Sequence, residues 1–557
     1  MKKIYLLSLL ALSFITETFA QNKYWVQFTD KNGTPYSLAN PSAYLSPRAL
    51  ARRTTQSIAI DSTDLPVNPA YIAGVAATGA TVHSHSKWFN GVVVFTSSSA
   101  VISQIQALPY VASVSGVGQR HAGPGHDKFD EETFAPVAQN TQRTGGVYSS
   151  ALNYGASYNQ INMLGGVCLH NAGFRGQGMQ IAIIDAGFYH ADQLPVFDTL
   201  FMNNRILGTW DFVMDEPSVY EDNTHGSMVL SCMGGNLPGE LVGTAPDASY
   251  WLLRSEEAAT EYLVEEYYWA SAAEFADSAG ADVINSSLGY TEFDDPSENH
   301  VYADMDGVTT PCAKAANFAA RKGIAVIVSA GNSGQSSWFY IGTPADADSA
   351  LAIAATDASG VVAGFSSRGF APDGGIKPNL AAQGQNSVVC DPFGTGTQTG
   401  SGTSFASPIL CGLVACLLQA HPTMPNMQLY QVMEMSANQY AAPDSLLGYG
   451  IPDFCAANLY LSGNPMQLGG SDVLFGVSPN PFSEQLQFTF YSVTDQNLVV
   501  SLYDARGRKL MEETVLATHD SENHYTLSEL TAVSEGVYFL EVQGAEGKYV
   551  TRVVKGQ

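Results

Sequence analysis

Cationic side chains are scarce in this 557-residue sequence: 25 lysines and arginines stand against 52 aspartates and glutamates, a formal charge of −27. That balance excludes nucleic acid and anionic membrane surfaces as partners, since both are met with lysine and arginine. It reads as the solvated acidic surface of an exported protein. Cysteine is sparse as well. The seven (168, 232, 312, 390, 411, 416 and 455) contain no Cys-x-x-Cys pair and no matching histidine spacing, which excludes a zinc site. An odd count leaves at least one thiol unpaired, and Cys411 and Cys416, set among small apolar residues, read as buried hydrophobes. Export admits a disulfide or two, but the sequence does not pair them. Two acidic clusters, Asp211, Asp215, Glu216, Glu221, Asp222 and Asp294, Asp295, Glu298, Asp304, Asp306, lack the alternating ligands of an EF-hand loop, so metal ligands are unknown. Beyond the N-terminus no apolar run approaches the ~20 residues that cross a bilayer, so no transmembrane segment is expected. The N-terminal run Ile4–Ile15 follows Lys2-Lys3 and precedes Thr18-Phe19-Ala20, the pattern of a signal peptide over 1–20 cleaved after Ala20.

What is present is an ordered set of chemistry-bearing motifs. Ile-Ala-Ile-Ile-Asp-Ala-Gly (181–187) is an apolar, β-branched run closed by Asp185, as expected of a central parallel strand. His225 opens His-Gly-Ser-Met-Val, a helix start. Ser404 lies in Gly-Thr-Ser-Phe-Ala-Ser-Pro (402–408), after a glycine-rich approach and before an apolar helix running to Ala420. A serine hydroxyl needs a base within hydrogen-bond reach, and the base needs a carboxylate to fix its tautomer. A helix N-terminus beneath that serine would stabilise a developing oxyanion. Two further strands end in candidate contacts, Ala281–Gly289 with Ser286-Ser-Leu-Gly and Ile324–Gly331 with Asn332 beyond it.

The order Asp, His, Ser, with these four contexts, resembles the subtilase family of subtilisin-like serine proteases (peptidase family S8) over roughly 155–460. The resemblance implies an α/β fold, a subtilisin-like parallel sheet with helices on both faces. It implies that Asp185, His225 and Ser404 are catalytic and that Asn332 and the Ser404 backbone form the oxyanion hole. Substrate would be bound by Ser287, Leu288, Gly289, Ala330 and Gly331; the small residues Ser329, Ala330, Gly331 and Gly342 wall the principal pocket and suggest room for a large apolar or aromatic side chain. No cofactor is required for such chemistry, and structural calcium is compatible with it. One position departs from the family: Met228 stands three residues after the base, where subtilases commonly carry a second histidine, and is expected to pack beneath the imidazole.

The flanking segments carry their own patterns. Residues 21–120 read as βαββαβ with an insertion after the first strand, a ferredoxin-like α+β unit resembling the subtilase propeptide, which serves as intramolecular chaperone and inhibitor. Residues 121–150, without an apolar period, read as a linker holding the maturation site, with Arg120 and Arg143 as visible basic residues at its edges. The peptidase domain is expected over 151–460, a linker over 461–472, and a small all-β sandwich over 473–557. Ser478-Pro-Asn-Pro-Phe482, Gly536-Val-Tyr-Phe-Leu and the basic end at Lys555 resemble the C-terminal sorting domain of type IX secretion. A carbohydrate- or cell-binding module is the competing reading, without the exposed aromatic platform it would need.

The expected function is therefore a secreted endopeptidase, made as a self-processed precursor and released or retained at the outer cell surface. Its partners would be protein or peptide substrates, its own propeptide and the type IX secretion machinery, with no nucleic acid. The alternative is a catalytically silent subtilisin-fold surface binding protein. An α/β-hydrolase esterase is excluded, because Gly402-Thr-Ser-Phe-Ala406 is not Gly-x-Ser-x-Gly and acid and base precede the serine.

Overall fold

The computed structural model describes residues 22–119, 128–129, 132–137 and 152–463. It also describes 473–556 except 479–481, 493, 505–506, 519–520, 529 and 546. The signal peptide over 1–20, Arg120, Arg143 and the centre of the Ser478–Phe482 motif lie outside these residues.

A seven-stranded, all-parallel sheet organises the middle of the chain. Its strands run in the order Leu380–Gln383, Leu351–Thr356, Ala325–Ser329, Val283–Ser286, Gln180–Asp185, Ser249–Arg254, Ile206–Asp211. Alternation along each strand explains why helices cover both faces. Ile181, Ile183, Leu252, Val283 and Ile327 point into one core with the helices His225–Gly234 and Thr403–Ala420. Ala182, Ile184, Leu253, Ile284 and Val328 point into the other with the helices Val264–Ala279 and Pro311–Arg321. Strands buried on both faces read as continuous apolar runs, as these do. After Gln180–Asp185 the next two sheet strands in sequence add on one side, Ile206–Asp211 and Ser249–Arg254, and later ones add on the other. Asp185 thus ends the strand at which the winding reverses, the place where open parallel sheets leave a crevice. The 18-residue helix Thr403–Ala420 is apolar enough to cross a membrane, but it is the buried central helix of this domain.

The N-terminal region is a four-stranded antiparallel sheet in the order Thr81–Ser86, Gly91–Thr96, Asn22–Phe28, Val111–Gln119, with helices Pro69–Ala76 and Ser99–Gln106. This is the expected ferredoxin-like arrangement. The hairpin strand Thr81–Ser86 ends at Ser86, and the following residues serve the neighbouring domain. The backbone N–H groups of Lys87 and Trp88 donate to the Glu274 carboxylate, at 2.7 and 3.0 Å, and the Trp88 ring joins the second core of the parallel sheet. The insertion after the first strand forms the helix Pro47–Thr55, whose Arg52 and Arg53 are buried. Asp277 receives Arg52 at 2.6 Å, Arg53 at 2.9 Å and Lys87 at 3.0 Å, while Asp64 receives Arg53 at 2.6 Å and Lys322 at 2.9 Å.

The C-terminal region is two antiparallel sheets. One has three strands, Val473–Ser478, Leu486–Ser492 and Ser521–Leu527; the other has four, Lys509–Ala517, Gln496–Asp504, Gly536–Gln543 and Lys548–Lys555. Phe488, Phe490, Val500, Leu502, Leu540 and Val542 fill the space between them. One disulfide, Cys168–Cys455, joins the short helix Gly166–Asn171 to the helix Phe454–Leu461, and the other five cysteines are buried thiols.

Candidate active site

Glycine decides how closely the first two motifs approach. Past Asp185 the chain turns at Gly187 with φ +146°, where a Cβ would meet the Asn223 nitrogen at 2.7 Å. A Cβ on Gly226 would fall 2.3 Å from the Gly187 carbonyl oxygen. The strand end and the start of the helix His225–Gly234 therefore interlock, and Asn223 Oδ1 accepts the His225 N–H at 2.8 Å. The result is a 2.7 Å hydrogen bond between His225 Nδ1 and Asp185 Oδ1, both residues being buried. Asp185 Oδ1 also accepts the Ala186 N–H at 2.8 Å.

Ser404 stands in the first turn of the helix Thr403–Ala420 and is nearly buried. Its carbonyl accepts the Ser287 hydroxyl at 2.9 Å, which ties the helix to the segment Ser287-Leu288-Gly289. Asn332 Oδ1 accepts both the backbone N–H and the hydroxyl of Thr403 at 2.9 Å. The carboxamide is thereby oriented with its oxygen spent, and Asn332 Nδ2 has no acceptor among the described residues. A cavity of about 320 Å³ is lined by Ser287, Leu288, Gly289, Ala330, Gly331, Asn332 and Ser404. The structure thus brings all the expected substrate-contact positions to one cavity. Met228 is buried, its Sδ accepting from Gln398 Nε2 at 3.4 Å.

Three contributors were not legible in the sequence, and all come from the segment expected to be a linker. Glu132 Oε1 lies 3.2 Å from His225 Nε2, and a Cβ on Gly402 would fall 2.7 Å from that same oxygen. Phe129 stacks on the His225 ring at 4.0 Å between centroids. Lys128 Nζ contacts Glu256 at 2.7 Å, Glu261 at 3.2 Å and also Glu265. Thr133–Pro136 then pairs antiparallel with Thr397–Ser401, with Phe134 opposite Gly400. Lys128 and Phe129 line the cavity itself, and Glu132 meets the base. Long-range pairing of this kind leaves no local pattern. The one available signal is five glutamates within residues 256–266, directly after a sheet strand.

Electrostatics follow from this filling. Burial disfavours charge on His225, but the Asp185 and Glu132 carboxylates on its two nitrogens outweigh it and lift the imidazole pKa to about 10. Burial likewise pushes the Asp185 carboxyl up, against the pull of His225. The arrangement with Glu132 in place favours the imidazolium, a form that has no lone pair for a serine proton.

The two acidic clusters noted above do not converge on an ion. Asp211 accepts the Val213 and Met214 N–H groups and pairs with Arg254 at 2.7 Å, and Asp222 joins that arginine at 2.9 Å. Asp295 and Asp306 accept N–H and hydroxyl groups of their own loops, at 2.7 to 3.0 Å. Among the described residues the group able to surround a cation is Glu256, Glu261 and Glu265, and an ammonium already sits there.

Comparison with known proteins gives three matches along the chain. The subtilase family matches residues 176–450, the Bacteroidota peptidase S8 propeptide domain residues 23–129, and the secretion system C-terminal sorting domain residues 476–556. Subtilisin E of Bacillus subtilis (strain 168) is 29% identical over 316 residues, 56% of this chain and 72% of the relative. Subtilisin BL of Lederbergia lenta is 29% identical over 289 residues, 52% of this chain and 93% of the relative. The crystal structure of MycP1 with its N-terminal propeptide removed aligns with 54% of this chain and 96% of its own at a TM-score of 0.43 and 23% identity. The sorting domain marks the chain as one that is exported, extracellular or held at the cell surface. The chain is a subtilase domain set between a peptidase S8 propeptide domain and a C-terminal sorting domain.

Proposed function

We propose that this chain is a secreted serine endopeptidase made as a precursor that processes itself. The observation carrying the reading is the placement of His225, whose Nδ1 is held by Asp185 at 2.7 Å while Nε2 meets Glu132 at 3.2 Å, a carboxylate that also abuts Gly402 two residues before Ser404. In the working enzyme Ser404 Oγ attacks the scissile carbonyl as His225 Nε2 takes its proton. Asp185 holds the tautomer and stabilises the imidazolium, which then protonates the leaving amine, and water repeats the sequence on the acyl-enzyme. Asn332 Nδ2 and the Ser404 N–H receive the oxyanion at the helix N-terminus. Substrate lies extended beside Ser287-Leu288-Gly289, so affinity comes from backbone pairing and selectivity from side-chain pockets.

Residues 21–120 act as the intramolecular inhibitor, and the maturation cut falls within 121–150. Inhibition has a chemical part besides occlusion. Glu132 takes the Nε2 position and keeps His225 charged, so full activity follows only when that carboxylate leaves. The sorting domain delivers the precursor to the type IX machinery. Catalysis needs no cofactor, and any structural calcium would sit apart from the reacting groups.

Intact-mass analysis of wild type beside Ser404→Ala, each treated with a fluorophosphonate probe, tests the reading. Wild type should lose roughly 100–130 N-terminal residues, as the domain division implies, and take the probe, while the variant stays whole and unlabelled. If wild type remains unlabelled after deliberate cleavage within 121–150, the silent binding-protein reading replaces this one.

A further inference from the structure

The three glutamates around Lys128 fall within the subtilase match, whereas the lysine falls within the residues that match the propeptide domain. We infer that Glu256, Glu261 and Glu265 form a subsite of the cleft for a lysine or arginine side chain, and that Lys128 occupies it in the precursor. The inference rests on the peptidase reading above and adds its substrate class.

Four observations support it. The socket is part of the substrate cavity, since Lys128, Glu256, Thr260 and Glu261 line the same space as Ser287, Asn332 and Ser404. It is built rather than incidental: the Glu256 and Glu265 side chains are 2% and 1% exposed, and the Tyr290 hydroxyl donates to Glu256. Among the described residues Lys128 is the cation paired with these carboxylates, so its departure leaves three acidic groups that must take up protons or another cation. The socket also has acceptors to spare. Glu261 Oε1, Glu265 Oε1 and the Thr260 hydroxyl are buried without partners, and Glu265 and Thr260 are more than nine-tenths buried. An ammonium brings three donors and a guanidinium five, enough to reach these atoms.

Burial raises the Glu261 carboxyl to about 7 despite Lys128, so an empty socket holds protons that an incoming cation displaces. Register follows from the neighbour: Phe129 covers the His225 ring, so the recognised side chain is the one directly upstream of the residue lying over the base. The expectation of an apolar pocket concerned the Ala330–Gly331 side of the same cavity, and the socket adds a second, charged determinant.

Two measurements decide the matter, and one needs no turnover. In the full-length Ser404→Ala chain, Lys128→Ala should lower the melting temperature, and n-butylammonium should restore it saturably. Tetramethylammonium at equal ionic strength should not, and Glu256→Gln with Glu265→Gln should abolish the rescue. No saturable rescue overturns the inference, as does EDTA-reversible rescue by calcium alone, which would make the cluster a metal site. In the second measurement, enzyme recovered after its own processing is given peptides of the 124–137 sequence with lysine or norleucine at position 128. The lysine peptide should be favoured at least tenfold in kcat/KM, and the glutamine variants should bring the ratio near one. Cleavage of both peptides with a wild-type ratio near one overturns the subsite and leaves the peptidase reading intact. No cleavage of either, with no fluorophosphonate labelling, overturns the peptidase reading, and butylammonium rescue alone then decides whether the socket takes a cation.

Discussion

Glu132 is the second of two carboxylates, after Asp185, that favour the charged form of His225 in the precursor. Together they outweigh burial and raise the imidazole pKa to about 10, so the charged form prevails near neutral pH. Glu132→Gln removes one carboxylate and keeps the shape. The pH–rate profile for self-processing should then shift its rising limb to lower pH, with a gain of tenfold or more near pH 8. An unmoved limb would contradict the role given to Glu132. The same group links to stability. The folded pKa is raised above the unfolded value of about 6.5, so the contribution is fully present below that pH and is lost as pH rises toward 10. In a Ser404→Ala background, the decline in unfolding free energy across that window should be shallower for Glu132→Gln. On the opposite side of the cleft, Asn332→Ala should cost about 10²–10³ in kcat, a figure that comes from subtilisin itself, while Ser404→Ala should leave essentially none. Equal losses in both variants would remove Asn332 from the oxyanion hole. Asp185, His225, Ser404 and Asn332 stood out in the sequence because each sits at the end of a strongly patterned element. Glu132 did not, because its partner is 93 residues away and nothing in Asp-Glu-Glu-Thr distinguishes a charge inserted in a cleft from one in solvent.

Elements differ in legibility for the same reason. The strand Gln180–Asp185 and the helix Thr403–Ala420 are buried on all sides and announce themselves as apolar runs. The helix Pro47–Thr55, Pro-Arg-Ala-Leu-Ala-Arg-Arg-Thr-Thr, reads as a polar surface segment, yet two of its arginines are buried because the charges that neutralise them lie elsewhere in the chain. Thr133–Pro136 is a strand only because Thr397–Ser401 pairs with it. In the C-terminal sandwich, strands with alternating large apolar residues were visible, whereas Ser-Glu-Asn-His-Tyr-Thr-Leu (521–527) carries too little alternation to be seen. The buried charge cluster between the N-terminal sheet and the helix Val264–Ala279 yields a prediction of its own. Burial would raise the Asp277 carboxyl, but Lys87, Arg52 and Arg53 hold it well below the usual range. Asp277→Ala strands those cations and should weaken the hold of the N-terminal region by about 3–5 kcal/mol. In Ser404→Ala chains nicked between the two regions, this would appear as dissociation of the N-terminal fragment. The wild-type contact should be fully present above about pH 4 and weaken as pH falls below it, because protonation removes the central anion. An association constant that is flat from pH 6 to pH 3, about the interval over which an ordinary carboxylate titrates, would contradict this.

At the scale of the whole molecule, Lys128, Phe129 and Glu132 join the expected linker to the cavity and to His225, so a cut in that linker would alter cleft and base together. The disulfide is the other global constraint. Cys168 and Cys455 are separated by 287 residues, and their pairing was beyond the sequence because any of seven thiols could have served. Cys168→Ser should cost about 2–4 kcal/mol, read as a lowered denaturant midpoint with the slope unchanged. No change in midpoint would mean that the cross-link constrains nothing the fold had not already fixed. The bond has a further consequence for a protein working outside the cell. It ties the region just before the parallel sheet to the last helix before the C-terminal sheets, inside both flanking domains. With both flanking domains removed, the remainder would be a covalent ring with two tails rather than a linear chain. A trimming exopeptidase in the surrounding medium would run up to the cross-link and stop, leaving the sheet and its central helix with no free end from which to unravel.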